Sequence, residues 1–327
     1  MRQRENEGSS RPLSVFVVMA VYRPEVGFLN AQVRSILDQS DVNVTLVSVL
    51  DGADPAAEAA LAGFADQRMV VISTPRLGIV GAFELGLRTA LSMSEGESDR
   101  FAFADQDDVW EPHKLHVLTL ALEPPNCDLA FSDARVIDAS NVTLAPSLMA
   151  AEERLARPDL GDLMVANSVS GMTMVFSKRV ARLALPFPRI EGNAVLHDWW
   201  VAVVASSLAR VRFVPEPLVR HRLHGANAIG PRVGRGRTAG ENGKRSFVER
   251  SIRHYLIRKA LAGETQRALR SAGLSCPVPL RIAGRNGLSA SLFFAGQALR
   301  SILRGRSRMA AIAWETAVGA LIAPKLQ

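Results

Sequence analysis

The strongest constraint on the fold is an alternation of apolar runs and helical patterns along the first 104 residues. Ser14–Ala20 (SVFVVMA) and Val44–Leu50 (VTLVSVL) are apolar and β-branched almost throughout. Strands of that kind need cover on both faces. Between them Leu29, Val33, Ile36 and Leu37 recur at helical spacing, which predicts a helix over Phe28–Gln39. The pattern then continues as an Ala-rich helix over Ala53–Asp66, a strand over Met69–Ser73, a helix over Gly78–Met93 and a strand over Phe101–Ala104. This order predicts an α/β fold with a mostly parallel sheet flanked by helices. Ligands in such sheets sit beyond the carboxyl ends of the strands. Asp51 closes the second strand there, and Asp105 the fourth.

Beyond residue 135 the pattern loosens. Cys127–Ser132 and Met172–Phe176 read as strands and Asp198–Ser207 as a helix, and the Pro- and Gly-bearing stretch Gly225–Gly243 reads as a boundary. The expected organisation is a disordered polar tail over 1–12, a main domain over 13–230 and a basic helical extension over 231–327. Charge supports the division. Residues 231–310 hold 17 Lys or Arg against Glu241, Glu249 and Glu264, a local +14, whereas the first 230 residues carry 21 basic and 28 acidic groups, net −7. A basic extension on an acidic body points first to an anionic surface, lipid or polyphosphate. It has few aromatics for base stacking and no recognised nucleic-acid motif, so nucleic acid is not the expected partner.

Two cysteines, Cys127 and Cys276, cannot form a disulfide scaffold or a four-cysteine zinc site, which fits a reducing compartment. The polar start MRQRENEGSSRPLS lacks the apolar stretch of a secretion signal. No uncharged apolar run reaches the roughly 20 residues of a spanning helix. The expected location is the cytoplasm, peripheral at the inner face of the plasma membrane.

Chemistry concentrates in three segments. In Ala104-Asp105-Gln106-Asp107-Asp108-Val109-Trp110, three carboxylates follow an apolar strand and repel one another unless a cation or donors neutralise them. Mg²⁺ or Mn²⁺ suits such oxygen ligands and leaves positions for substrate phosphates; the bland reading is a solvated acidic loop. In Leu196-His197-Asp198-Trp199-Trp200, Asp198 opens a helix, where a cap and a catalytic base look alike. One of the two tryptophans is expected to line a ring-binding pocket while the other packs. In Arg220-His221-Arg222-Leu223-His224-Gly225, two His and two Arg before a glycine turn make either a phosphate site or an exposed basic turn, and a neutral His could join a metal's shell.

In order along the chain, ADQDDVWEPHKL, SGMTMVF at Ser170–Phe176, LHDWWVAVVAS and EPLVRHRLHGANAIG resemble family 2 glycosyltransferases of the GT-A, Rossmann-like fold. More narrowly, they resemble the bacterial rhamnosyltransferase-like branch of surface polysaccharide assembly. The resemblance runs from about Leu13 to Gly230. It implies that Asp51 contacts the nucleotide base and that Asp105 meets the ribose or the metal. It places Asp107 on the metal bridging the donor diphosphate, with His224 facing both. Asp198 is then the catalytic base, and Ser170, Gly171 and Met172 border the acceptor; Trp199 is the aromatic expected there and Arg222 the basic group on the diphosphate. Three positions depart from the family pattern, all in the nucleotide pocket: Leu50 before Asp51, Arg23 after Tyr22, and Arg76 before Leu77-Gly78.

The implied reaction is metal-dependent transfer, with inversion, from a nucleotide-diphosphate sugar to a glycan or lipid-linked glycan, and the branch points to deoxythymidine-diphosphate rhamnose as donor. A nucleotidyltransferase would need a glycine-rich phosphate loop after the first strand, and Ala20-Val21-Tyr22-Arg23-Pro24 has no glycine. A glycoside hydrolase is disfavoured because the acidic cluster suits a metal better than a proton donor. The contrasting expectation is a catalytically degenerate protein of this fold that docks on anionic membrane or another polyanion through its basic tail. For membrane docking, Leu288, Leu292, Phe293 and Leu299 are expected to insert shallowly; the alternative is a helical cap packed on the domain.

Overall fold

The computed structural model describes residues 13–123, 127–192, 194–224 and 246–323. The expected tail over 1–12, the boundary near 230 and the Gly225–Gly230 end of the last motif lie outside the described residues.

Four parallel strands build the first half: β1 (Ser14–Val21), β2 (Asn43–Asp51), β3 (Met69–Thr74) and β4 (Arg100–Ala104), in the order β3-β2-β1-β4. Helices α1 (Val26–Leu37), α2 (Pro55–Ala62) and α3 (Ile79–Met93) make the crossovers. The first helix starts two residues earlier than its apolar spacing suggests, because the Glu25 carboxylate caps the amides of Gly27 and Phe28. The second is shorter than its Ala content suggests: Asp54 caps it, Pro55 opens it and Gly63 closes it. The order reverses between β1 and β4, which opens the crevice where ligands bind in sheets of this type.

The second half is mixed. Strand β5 (Val109–Trp110), helix α4 (Lys114–Leu120), β6 (Cys127–Asp138) and β7 (Thr143–Ala145) are followed by two short helices, α5 (Leu148–Ala151) and α6 (Leu160–Val165). A 3-10 turn over Gly171–Thr173 leads into β8 (Met174–Ser177), α7 (Lys178–Ala184), α8 (His197–Leu208) and β9 (Arg210–Leu223). The sheet continues β4-β8-β6-β9-β5, with β8 antiparallel to both β4 and β6. The parallel order expected from the alternation therefore holds through four strands and then gives way. Residues 220–223, read as either a phosphate site or an exposed basic turn, end a 14-residue strand.

Four helices close the chain: α9 (Phe247–Ser271), α10 (Val278–Ala283), α11 (Leu288–Leu303) and α12 (Ser307–Ile322). Their Ile257, Leu261, Phe294 and Ala313 share one apolar cluster with Phe101 and Phe103 of the sheet and Val201 of α8. The extension is thus packed on the body, and Phe293, expected at a surface, packs against this cluster. Two of its arginines are committed inward, Arg300 to Asp159 and Arg304 to Asp162 at 2.7 and 2.8 Å. No described helix is long and apolar enough to cross a membrane.

The contact of α12 with α9 depends on Gly319. A Cβ there would lie 1.9 Å from the Ser251 carbonyl oxygen, and backbone cannot yield as a flexible side chain does. Gly319→Ala is expected to destabilise the fold by about 1–3 kcal/mol or more, read as a lowered thermal midpoint. An unchanged midpoint would mean that the two helices are not in close contact.

Candidate functional site

The acidic turn after β4 is fixed at the β1/β4 crevice by the one uncharged side chain within it. The Gln106 amide accepts from the Tyr22 N–H at 2.8 Å and donates to the Tyr22 carbonyl at 3.1 Å. That reciprocal pair ties the ends of β1 and β4 and leaves Asp105, Asp107 and Asp108 to meet β9. The register of β5 on β9 pairs Val109 with Arg220 and Trp110 with Val219, which brings Asp108 beside His221.

Two carboxylate–imidazole pairs result. The deeper joins Asp108 Oδ1 to His221 Nδ1 at 2.9 Å, with the Arg222 N–H donating to the same oxygen at 3.0 Å. The second joins Asp107 Oδ2 to His224 Nε2 at 2.7 Å. Asp108 is fully buried, and its Oδ2 has no hydrogen-bond partner among the described residues. Burial, then the Asp108 and Asp107 charges, push the Asp105 carboxyl up to about 8. Burial and Asp108 likewise raise Asp107, against the pull of His224. Burial disfavours a charged His221, but Asp108 above all, with Asp105 and Asp107, outweighs it and raises the imidazole. The site therefore holds more buried negative charge than its own cations relieve.

That imbalance, the orphaned Asp108 oxygen and a hard oxygen and nitrogen donor set fit a divalent cation. Donor atoms of Asp105, Asp108 and His221 all lie within 4.8 Å of one another, the one such group among the described residues. The expected ligand set was Asp105, Asp107 and His224. The geometry keeps Asp105 and gathers Asp108 and His221 with it, while Asp107 and His224 pair with each other at its edge. Nothing in the sequence ranked Asp108 above Asp107; the pairing register of β5 on β9 does.

Asp198 stands in the first turn of α8. Its carboxylate accepts from the Trp199 N–H at 2.6 Å, lies near the Gly171 backbone amide and faces Arg154. Burial raises it above the ordinary carboxylate range, and those backbone donors and Arg154 hold it back. Arg154 also donates to Ser170 Oγ. The structure thus brings Ser170, Gly171 and Asp198 together as expected, and adds Arg154, which sits in an irregular stretch with no motif to mark it. Asp198 is close enough for its charge to raise Asp105, so the expected base lies near the acidic cluster.

Gly171 has to be small: a Cβ would lie 3.0 Å from His197 Nε2 and 3.4 Å from the Asp198 Cβ. His197 is a floor residue. It stacks on Phe83 at 3.6 Å, and burial drives it down to about 3, so it stays neutral. Lys114, buried beneath the acidic turn, joins the two halves. Its Nζ donates to the Met172 carbonyl at 2.7 Å, and the charges of Asp108 and Asp105 partly offset the burial that lowers its pKa.

Three expected roles are corrected. Arg222 is buried and turned to the protein: its guanidinium donates to the carbonyl of Asp107 at 3.0 Å and to Asn141 Oδ1 at 2.9 Å, and lies 4.4 Å over Phe28. It braces the acidic turn instead of reaching for a phosphate. Trp199 donates its indole N–H to the Leu163 carbonyl at 2.7 Å and lies under Arg258 of α9 at 5.5 Å, at the seam with the extension. Its neighbour Trp200 is core, donating to the Ala184 carbonyl. Met172 contributes its carbonyl, while its side chain lies in the core.

Asp51 ends β2 buried, accepting from the Leu77 N–H. Beside it Arg76 stacks on Tyr22 at 4.0 Å and donates to the Tyr22 hydroxyl. The departures at Arg23 and Arg76 therefore form one rim with Tyr22 at the end of β1.

Residues 16–178 match the family described as Glycosyl transferase family 2. An uncharacterized glycosyltransferase of Nostoc sp., alr2836, is 24% identical over 211 residues, which cover 61% of this chain and 62% of that protein. The matched part thus spans less than two thirds of that relative. Staphylococcus aureus TarS 1–349 in complex with UDP superposes over 96% of this chain and 92% of its own, with a TM-score of 0.52 and 13% identity. TarS 1–349 in complex with UDP-GlcNAc gives a TM-score of 0.50 at 13% identity, over 96% and 93%. At that identity the likeness shows the fold alone.

Proposed function

The chain belongs to glycosyl transferase family 2, and from that premise we propose that it moves a sugar, with inversion, from a nucleoside-diphosphate donor to an acceptor hydroxyl held beside Asp198. The observation that carries the reading is proximity: a desolvated Asp198 beside Gly171, near enough for its charge to raise Asp105 in an under-neutralised acidic cluster with one orphaned oxygen. Asp51 and the Tyr22–Arg76 rim take the nucleoside end. Asp105, Asp108 and His221 would hold Mn²⁺ or Mg²⁺, with the Asp107–His224 pair beside them. When bound, that ion stabilises the charge developing on the diphosphate leaving group. Asp198 accepts the proton of the acceptor hydroxyl as the new bond forms, so a single displacement suffices.

The acceptor is a glycan or lipid-linked glycan lying along Ser170 and Gly171, as surface polysaccharide assembly would require. Deoxythymidine-diphosphate rhamnose is the first donor to test. The two cysteines are unpaired and partly buried, which suits the cytoplasmic location this reading assumes. The stereochemistry gives a direct test. With one accepted donor, slow transfer to water followed by NMR should first release the sugar as the anomer opposite to that of the donor. Release with the donor's own configuration would overturn the single displacement.

The base assignment also predicts a pH effect. The active form of Asp198 is the carboxylate, so kcat/KM rises with pH through its pKa. Arg154 lowers that pKa. Arg154→Gln is therefore expected to move the acidic limb of the profile to higher pH while the activity above the limb recovers. A limb that stays in place would remove Asp198 as the titrating group.

A further inference from the structure

Helix α11 is built the wrong way round for a helix that simply caps a domain. Its buried face carries Ala290, Ser291, Phe294, Gln297, Ala298 and Ser301. Its large aliphatics, Leu288, Leu292, Leu299, Ile302 and Leu303, are 59–78% exposed. At 100° per residue these five fall within one stripe about 100° wide. Among the described residues nothing covers it. The next helix, α12, returns antiparallel, its Ala320 carbonyl accepting from the Gly287 N–H at 3.1 Å, and it leaves Trp314 56% exposed. A soluble monomer rarely presents so many large apolar side chains in one row without a use for them.

Charge says what the stripe fits. Residues 281–310 contain six arginines and no acidic residue. Arg300 and Arg304 are held by Asp159 and Asp162, while Arg281 and Arg285 are exposed beside the hairpin. A protein partner with an apolar groove would not require this arginine excess, whereas an anionic bilayer combines an apolar interior with a negative surface. An exposed Trp on the same hairpin suits the headgroup level. We infer that the α11–α12 hairpin is a peripheral membrane-docking element that lays the Leu288–Leu303 stripe into the headgroup boundary of an anionic leaflet, with the arginines on lipid phosphates. This inference is independent of the sugar-transfer reading, because donor hydrolysis in solution needs no lipid.

The test is flotation of the full-length protein with vesicles of phosphatidylcholine alone and of phosphatidylcholine with phosphatidylglycerol. Binding is expected to the anionic vesicles only and to weaken as salt is raised. Leu292→Glu/Leu299→Glu, exposed on the outer face, should abolish it with the thermal midpoint retained. Arg281→Glu/Arg285→Glu should weaken it about tenfold or more. No flotation of the wild type, equal flotation with neutral vesicles, or flotation that survives the Leu→Glu pair would each overturn the inference. So would a concentration-dependent dimer in sedimentation velocity that the Leu→Glu pair dissolves, since a second copy would then own the stripe.

Discussion

Replacing Asp198 with asparagine is expected to lower the turnover of a complete donor–acceptor pair by about 10²–10⁴-fold, the usual contribution of a positioned general base. The change is close to isosteric, and the Trp199 amide that now serves the carboxylate can serve an amide oxygen instead. The fold should therefore hold and the thermal midpoint change little. Donor affinity should also change little, because Asp198 adjoins Gly171 in the proposed acceptor segment. A variant with near-normal turnover would show that another group takes the acceptor's proton.

The second large effect joins activity and stability with opposite signs. Asp105→Asn is expected to cost several kcal/mol of transition-state stabilisation, about 10²–10³-fold in rate at 1.36 kcal/mol per tenfold. In the metal-free protein the same substitution should raise the thermal midpoint. Asp105 titrates near 8 in the fold against 3.8 for the free side chain, so its ionised form is penalised by burial and then by Asp108 and Asp107. A folded pKa above the unfolded one means that stability is greatest in acid and declines as pH rises from about 4 towards 8. The wild type should lose stability over that window, and Asp105→Asn should lose less. The two should converge near pH 4, where Asp105 is protonated in both states, and metal should raise the midpoint of the wild type alone. If the midpoints coincide at pH 8 without metal, the acidic cluster is not frustrated.

Much of this was legible in the sequence because it rests on local pattern. Apolar continuity fixed β1, β2 and β4, and with them the crevice, to within a residue or two. The order of motifs identified the family. What escaped depends on pairing between distant segments. The Arg220–Leu223 stretch looks like a basic turn in isolation and becomes a strand only because β6 lies along it. Only that strand puts His221 on Asp108 and turns Arg222 back onto the Asp107 carbonyl. Trp199 looked like a sugar platform because the partner that claims it, Arg258, is 59 positions away on α9. Lys114 lay within the quoted motif, yet its value comes from Met172, whose carbonyl no pattern would pair with it. Arg154 offered no signal at all.

The Asp105–Asp108–His221 group and Asp198 are proposed to serve one metal-assisted transfer from a nucleotide sugar. Nucleoside diphosphate release tests it most directly, using the purified full-length protein and a panel of nucleoside-diphosphate sugars, with Mn²⁺, with Mg²⁺ and with chelator. Release is expected from one donor, dependent on metal, abolished by chelator and by Asp105→Asn, and slowed by Asp198→Asn. A folded protein that releases nucleotide from no donor, and whose thermal midpoint no donor raises in the presence of metal, would contradict it.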